Sequence, residues 1–320
     1  MRAVAASEMQ MAMQRQPDEL VRLFADVEPV AEAASRLAGR RVLLVGTGTS
    51  WHAANQGAYF LRLAGLEAWA LQAADAAVEG PQPTAADALI LLSHRGTKRY
   101  TSDVLERARA DGVATVAIGG IGAPGADVET VEQERSSAYT VSHLGALARL
   151  AQLATALGAD LGDTTAVPDG VARALDGPGT PFEPPLRGLD FVGAGINQWT
   201  AAEGALKTRE TSRVFTSAYS VEQFLHGPAV AVDERDTLVA LDGGGPLSAR
   251  LADIAGAAAK CGVRVHSIRE QSLGEPLSVF PLTAAVQRIA LESALAVGSD
   301  PDAFGYDVPG REETWEPIEL

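Results

Sequence analysis

Glu203, Lys207 and Glu210 stand at i, i+4 and i+7 in Glu203-Gly-Ala-Leu-Lys-Thr-Arg-Glu210, and His226-Gly227-Pro228 follows shortly after. If 203–210 is helical, the three side chains leave one face within a turn of each other. One helix then presents two carboxylates around an ammonium, with an imidazole close behind in sequence. Such groups take up and return protons, and the combination suits sugar chemistry. On charge pattern alone, a Glu-to-Lys pair at i, i+4 is also an ordinary support of a solvent-exposed helix, worth ~0.2–0.5 kcal/mol. Scarcity weighs on the other side: of 26 cationic residues only three are lysine, Lys98, Lys207 and Lys260. A surface cation in this chain is ordinarily arginine, whereas lysine can shed its proton when desolvated. His226 is one of five histidines, and Gly227-Pro228 makes a turn able to fix the direction of its ring.

Two loops carry a different chemistry. Gly46-Thr-Gly-Thr-Ser50 and Ser93-His-Arg-Gly-Thr-Lys98 each follow a short apolar run and open a helical pattern. Exposed N–H groups and a positive helix end there make an anion cradle, with Gly48 for the turn and Thr49, Ser50 and Ser93 for hydroxyls. Arg95 and Lys98 set two cations beside those hydroxyls, as phosphate or carboxylate recognition requires. The first loop lacks the third glycine of a dinucleotide fingerprint and the Gly-Lys-Ser/Thr of a P-loop. Thr49 and Ser50 could equally be helix N-caps, and Arg95 and Lys98 could complement Asp103 and Glu106.

The elements that must position these groups alternate. The first forty residues read as amphipathic helix, with Pro17 at a helix start and Leu20, Leu23, Phe24 and Val27 at helical intervals. Strands are expected at 41–45, 88–92 and 113–118, with helices from Trp51 to Leu63, Tyr100 to Ala110 and Tyr139 to Leu157. After a proline-rich stretch come strands at 189–193, 237–241, 263–267 and 277–280, the helix 200–212 and a last apolar helix 282–297. Continuous apolar strands alternating with helices predict an α/β chain of two tandem doubly wound parallel sheets. The boundaries expected are an N-terminal helical segment 1–37, a first domain 38–158, a linker 159–186, a second domain 187–297 and a tail 298–320. Ligands of such folds bind beyond the carboxyl ends of the strands.

The formal charge of −15 argues against nucleic acid or an anionic membrane as partner, because phosphate neutralisation needs clustered Lys and Arg. Neither an eighteen-residue apolar run nor a signal-peptide pattern is present, which points to the cytoplasm. The Cys and His spacings match no zinc motif, and Asp300, Asp302 and Asp307 do not reproduce a calcium loop, so no metal and no cofactor are expected. The lone Cys261 is expected to be a packed thiol.

Taken together the motifs resemble the sugar isomerase (SIS) domain family, in particular the isomerase half of glucosamine-6-phosphate synthase and its deaminase and deglycase relatives. Gly48-Thr49-Ser50 is similar to the family's first phosphate loop, and Ser93-x-x-Gly96 to its Ser-x-Ser-Gly-x-Thr loop. Glu134-x-x-x-Ala138-Tyr139-Thr140 is similar to a segment that lines the sugar. The most specific likeness is Glu203-Gly-Ala-Leu-Lys207 with Glu210, Ala218-Tyr219 and His226-Gly227-Pro228. The resemblance implies a flavodoxin-like α-β-α sandwich in each domain, a sugar phosphate held by Thr49, Ser50 and Ser93, and a sugar site lined by Ala138, Tyr139 and Glu203. It implies Glu210 as the base between C1 and C2, Lys207 near the reacting oxygens, and a homodimer in which His226 reaches the neighbouring subunit's site to assist ring opening.

The chain departs from the family where Arg95 and Lys98 replace small hydroxyl residues, where Tyr139 replaces serine and Val141 lysine, and in a tail that lacks the family's imine-forming lysine. No glutaminase half is expected before Met1. These features together lead to the expectation of a phosphosugar isomerase with deaminase or deglycase activity on an amino sugar or ketosamine phosphate, working through an enediol or enolamine. The alternatives are a non-catalytic sugar-phosphate-binding regulator and an isomerase for a differently charged sugar. The expectation requires the anion cradle and the acid–base trio to serve one substrate.

Overall fold

In place of the single amphipathic helix suggested by the apolar spacing, the computed structural model opens on three: α1 (Glu8–Gln14), α2 (Gln16–Ala25) and α3 (Glu28–Leu37). Leu20 and Leu23 are fully buried, but Val27 falls between helices and is exposed. The structure describes residues 6–315 and 318; the start of the expected N-terminal segment (1–5) and the tail residues 316, 317, 319 and 320 lie outside the described residues. Over the described residues, one compact unit gathers 6–17, 135–140 and 166–315, and the other 18–134, 141–165 and 318.

The second of these units holds β1 (Val42–Gly46), α4 (Thr49–Leu63), β2 (Ala68–Gln72), α5 (Ala73–Val78), β3 (Ala88–Leu92), α6 (Arg99–Ala110), β4 (Ala114–Gly119), β5 (Val128–Glu129) and α7 (Val141–Ala156). All five strands are parallel, in the order β2-β1-β3-β4-β5. Every residue of β1 and β3 is buried, as a strand covered on both faces must be. Leu43, Val45, Leu89 and Leu91 pack on α5 and α6, and by the two-residue period their neighbours face the side packed by α3, α4 and α7. β2 and β5 have no counterpart in the expected strands.

The other unit repeats the design with α8 (Val167–Asp176), β6 (Leu189–Gly193), α9 (Asn197–Ser212), β7 (Thr216–Ser220), α10 (Val221–Leu225), β8 (Thr237–Asp242), α11 (Ser248–Lys260), β9 (Arg264–Arg269), α12 (Gly274–Val297) and α13 (Arg311–Trp315). The order β7-β6-β8-β9 is again wholly parallel. Phe191, Val239 and Leu241 pack on α9 and α12, while Val192, Leu238 and Ala240 pack on α10 and α11.

Three expectations need correction here. Leu277–Phe280 is not a strand but part of α12, which runs through Pro281. A four-residue apolar run does not distinguish strand from buried helix, and the proline mimics a boundary. The proline-rich stretch is partly helical, since α8 buries Val167, Pro168 and Val171. Cys261 is exposed. It extends the stripe of Leu251, Ile254 and Ala258, but α11 ends at Lys260 and Gly262, at φ 86°, turns the chain away.

Candidate active site

In the five-stranded sheet the strand order reverses between β1 and β3, the switch point where doubly wound folds bind ligands. The loops after these two strands are Gly46–Ser50 and Ser93–Lys98. Gly46 is obligatory, because a Cβ there would lie 2.5 Å from the Ser50 carbonyl oxygen. Gly48, at φ 54°, is the N-cap of α4 and supplies no side-chain cap, so Thr49 and Ser50 are the first two helical residues and neither is the cap. No acidic side chain occupies that first turn. The positive end of a fifteen-residue helix thus begins at two half-buried hydroxyls.

Ser93 is buried at the end of β3, and its hydroxyl accepts from the Gly96 N–H at 3.2 Å, a bond that leaves the hydroxyl proton to be donated elsewhere. Gly96 takes φ 69°, where a Cβ would meet the Pro124 carbonyl at 2.7 Å. Arg95 and Lys98 are both exposed, and Lys98 makes no ion pair with Asp103 or Glu106 among the described residues.

His94 is a site residue that the sequence did not single out. Its Nε2 accepts the Glu134 backbone N–H at 3.1 Å, which assigns the neutral imidazole. Its carbonyl accepts from Gly120 at 2.9 Å and from Gln133 Nε2 at 2.9 Å. Burial, and next the Arg95 guanidinium, lower its pKa to about 4. The Glu134 carboxylate in turn accepts from the Ser142 N–H at 2.8 Å and from the Ser142 hydroxyl at the start of α7. His94 therefore ties the Ser93 loop to the buried Glu134. A scarce histidine beside Ser93 was the available signal, but its partner lies forty residues away.

The acid–base trio belongs to the unit of the four-stranded sheet. Gly204 lets α9 lie close on β6 and α12, since a Cβ would stand 2.9 Å from both Phe191 Cε1 and Val286 Cβ. On the face so buried, Lys207 Nζ lies 2.5 Å from Glu210 Oε2 and 3.8 Å from Glu203 Oε1. The side chains of Lys207 and Glu203 are 0% exposed and that of Glu210 is 15% exposed. The solvent-exposed helix support is thereby excluded, for a buried ammonium must be paired and this one faces two carboxylates. Of the three, Glu210 keeps access to solvent.

His226 lies elsewhere on this unit. It ends α10 with its side chain 82% exposed and Nε2 3.8 Å from Glu222 Oε2. Ala138 packs with Met9, Met13, Ala290 and Leu291, so its methyl serves the core, while Tyr139 is half-buried.

Residues 38–121 match the model of the SIS domain family, a span containing β1 to β4. The glutamine–fructose-6-phosphate aminotransferase (isomerizing) of Aeropyrum pernix is 27% identical over 248 residues, covering 68% of this chain and 40% of its own length. The chain thus spans about two-fifths of that relative. The tagatose-6-phosphate ketose/aldose isomerase of Escherichia coli superposes with a TM-score of 0.75 at 18% identity, over 93% of this chain and 95% of its own. The glucosamine-6-phosphate deaminase of Thermotoga maritima gives 0.75 at 18% identity, over 93% and 97%. At such identities the likeness to the solved structures establishes the fold. Both parallel sheets share the fold of these solved structures, and residues 38–121 form a segment that matches the SIS domain family.

Proposed function

We propose that this protein is a phosphosugar isomerase acting on an amino sugar or ketosamine phosphate, with deamination or deglycation following from the same proton transfer. The observation that carries the reading is the Lys207 ammonium, buried between Glu203 and a Glu210 that still reaches solvent. A surface ion pair needs no such burial, and a mere binder needs no carboxylate held at one position beside a desolvated cation.

In the proposed reaction the Glu210 carboxylate removes the proton from C1 of the open-chain ketose. The C–H electrons form the C1–C2 double bond, and the carbonyl π electrons move onto O2. The Lys207 ammonium stabilises the negative charge that grows there. Protonated Glu210 then returns the proton to C2 while the O1 proton passes to O2, giving the aldose with its C1 carbonyl and C2 hydroxyl. Run from a 2-amino aldose, the same transfer gives an enolamine that tautomerises to the C2 imine, and hydrolysis of that imine yields the ketose and ammonia. Thr49, Ser50 and Ser93 hold the phosphate, with Arg95 and Lys98 adding charge; Tyr139 bounds the sugar, and Glu203 acts on it through Lys207. His226, projecting from one protomer of a homodimer, assists ring opening in its partner.

The test is product analysis by NMR with tagatose 6-phosphate, fructose 6-phosphate, glucosamine 6-phosphate and ketosamine 6-phosphates. Interconversion or ammonia release in at least one, lost in Glu210→Gln, is expected. Saturable binding of these compounds with turnover of none would instead assign a regulatory binder.

A further inference from the structure

The four-stranded unit contains a cavity of about 620 Å3 lined by α8, the turn 177–182, β9 and α12. Its size is that of a small-molecule site, and none of the residues discussed for catalysis lines it. Phe182, Ile268, Leu282 and Ile289 give it an apolar wall, against which the His266 ring sits tilted, its centroid 5.0 Å from that of Phe182.

Two guanidiniums face the same cavity, from Arg173 and Arg288, in a chain of formal charge −15, while Arg269, in register with Asp242, contributes backbone and turns its side chain to the α11 face. Arg173 makes no ion pair among the described residues, and Arg269 has only a 3.7 Å approach to Asp242 Oδ2. The two carboxylates of the lining are engaged: Glu292 holds Arg288 at 2.8 Å and accepts the Phe182 N–H at 2.8 Å, and Glu270 accepts from Ser272. Gly177, at φ 65°, lets the Arg288 guanidinium lie flat against the turn, since a Cβ there would come within 2.6 Å of it. The positive field reaches His266, whose protonation is disfavoured first by burial and then by Arg264 and Arg288.

The remaining wall is an open sheet edge. β9 is the last strand of its sheet. Arg264 N–H donates to the Asp236 carbonyl at 3.2 Å and Glu270 N–H to that of Asp242 at 2.9 Å, so residues 264, 266, 268 and 270 direct their backbone groups towards β8. Val265, Ser267 and Arg269, all in the cavity lining, then turn their N–H and C=O groups outward. An apolar wall carrying two rings tilted at 51°, a row of backbone donors and acceptors, and two guanidiniums ask for three things in one molecule. These are a planar ring, an edge that hydrogen-bonds like an amide, and an anionic group.

We propose that this cavity is a binding site for a nucleoside monophosphate, its base against Phe182 and His266 and read by the edge of β9, its phosphate held by Arg173 and Arg288. The site is separate from the proton-transfer trio and would serve as a regulatory input.

The test is isothermal titration calorimetry of the full chain with the 5′-monophosphates of adenosine, guanosine, cytidine and uridine, with inorganic phosphate and adenosine as controls. At least one nucleotide is expected to bind at least tenfold more tightly than either control. Arg173→Glu, at an exposed position tolerable to the fold, should weaken that binding at least tenfold. Ser267→Pro, which deletes an outward N–H and no ladder bond, should weaken it too where circular dichroism shows the fold intact. Ser50→Ala and Glu210→Gln should leave it unchanged, whatever becomes of turnover. Binding of none of the four, equal binding of inorganic phosphate, or a loss caused by Ser50→Ala and not by Arg173→Glu would overturn the proposal.

Discussion

Lys207 Nζ and Glu210 Oε2 lie 2.5 Å apart on one face of α9, with the lysine wholly buried and the glutamate at the boundary with solvent. The lysine fixes where the carboxylate stands, and the carboxylate offsets the cost of taking the ammonium out of water. Stability and chemistry are therefore coupled at this pair.

Lys207→Met removes the ammonium while roughly keeping the volume, and leaves Glu203 and Glu210 facing an apolar chain. Breaking a buried ion pair from one side costs about 3–5 kcal/mol, so urea unfolding should show a loss of that order. Adding Glu203→Gln should restore part of it. An unchanged midpoint for Lys207→Met would mean that the ammonium is not desolvated.

Gly204→Ala sets two effects against each other. Alanine is favoured over glycine inside a helix by ~1 kcal/mol, but its Cβ would lie 2.9 Å from Phe191 Cε1 and from Val286 Cβ. Overpacking of this kind costs ~1–3 kcal/mol, so the variant should melt a few degrees lower. A higher melting temperature would show that α9 has room to move off β6.

His94 has its pKa lowered to about 4 from an ordinary 6.5. A group depressed by folding contributes stability that is present above its unfolded pKa and lost as pH falls through its folded one. The window is therefore pH 6.5 down to 4, and its full depth is ~3 kcal/mol. His94→Gln keeps an acceptor for the Glu134 N–H and removes the titration. Its stability should fall less steeply than that of the wild type across this window and run parallel above it. Parallel curves throughout would contradict the neutral assignment.

Asp190 on β6 moves the other way. Burial, then the nearby Asp236 carboxylate, raise its pKa to about 6, with Arg187 opposing. A raised group contributes stability that is lost as pH rises through the folded value. Asp190→Asn should thus melt higher than the wild type at pH 8, and the advantage should vanish near pH 4. The same difference at both pH values would rule out titration of Asp190 as its source.

How far the sequence could be read depended on how completely each element is buried. β1, β3 and β8 were legible because each holds a continuous apolar run, and β6 because only Asp190 interrupts its apolar residues. β2 and β7 were not: both lie at a sheet edge and bury only their first residue, so Ala68–Gln72 and Thr216–Ser220 lack the apolar pattern of a central strand. Leu277–Phe280 has that pattern and is helix, because α12 is buried on all sides. The trio on α9 was legible since helical periodicity alone brings Glu203, Lys207 and Glu210 together. The link from His94 to Glu134 was not, because it joins two loops through the fold. Exposure was hidden as well: nothing local separates Lys207, fully buried, from Cys261, which helix termination leaves in solvent.

The central claim is that Glu210 moves a proton at C1 and C2 of a sugar phosphate. Its most direct measurement is incorporation of solvent deuterium at those carbons, followed by NMR for ketose and ketosamine phosphates in D2O, with wild type and Glu210→Gln side by side. Exchange in the wild type, reduced at least a hundredfold in Glu210→Gln as expected for loss of a general base (~10²–10⁴), is the predicted result. Exchange at equal rates in both proteins, or in neither across the panel, would contradict the account.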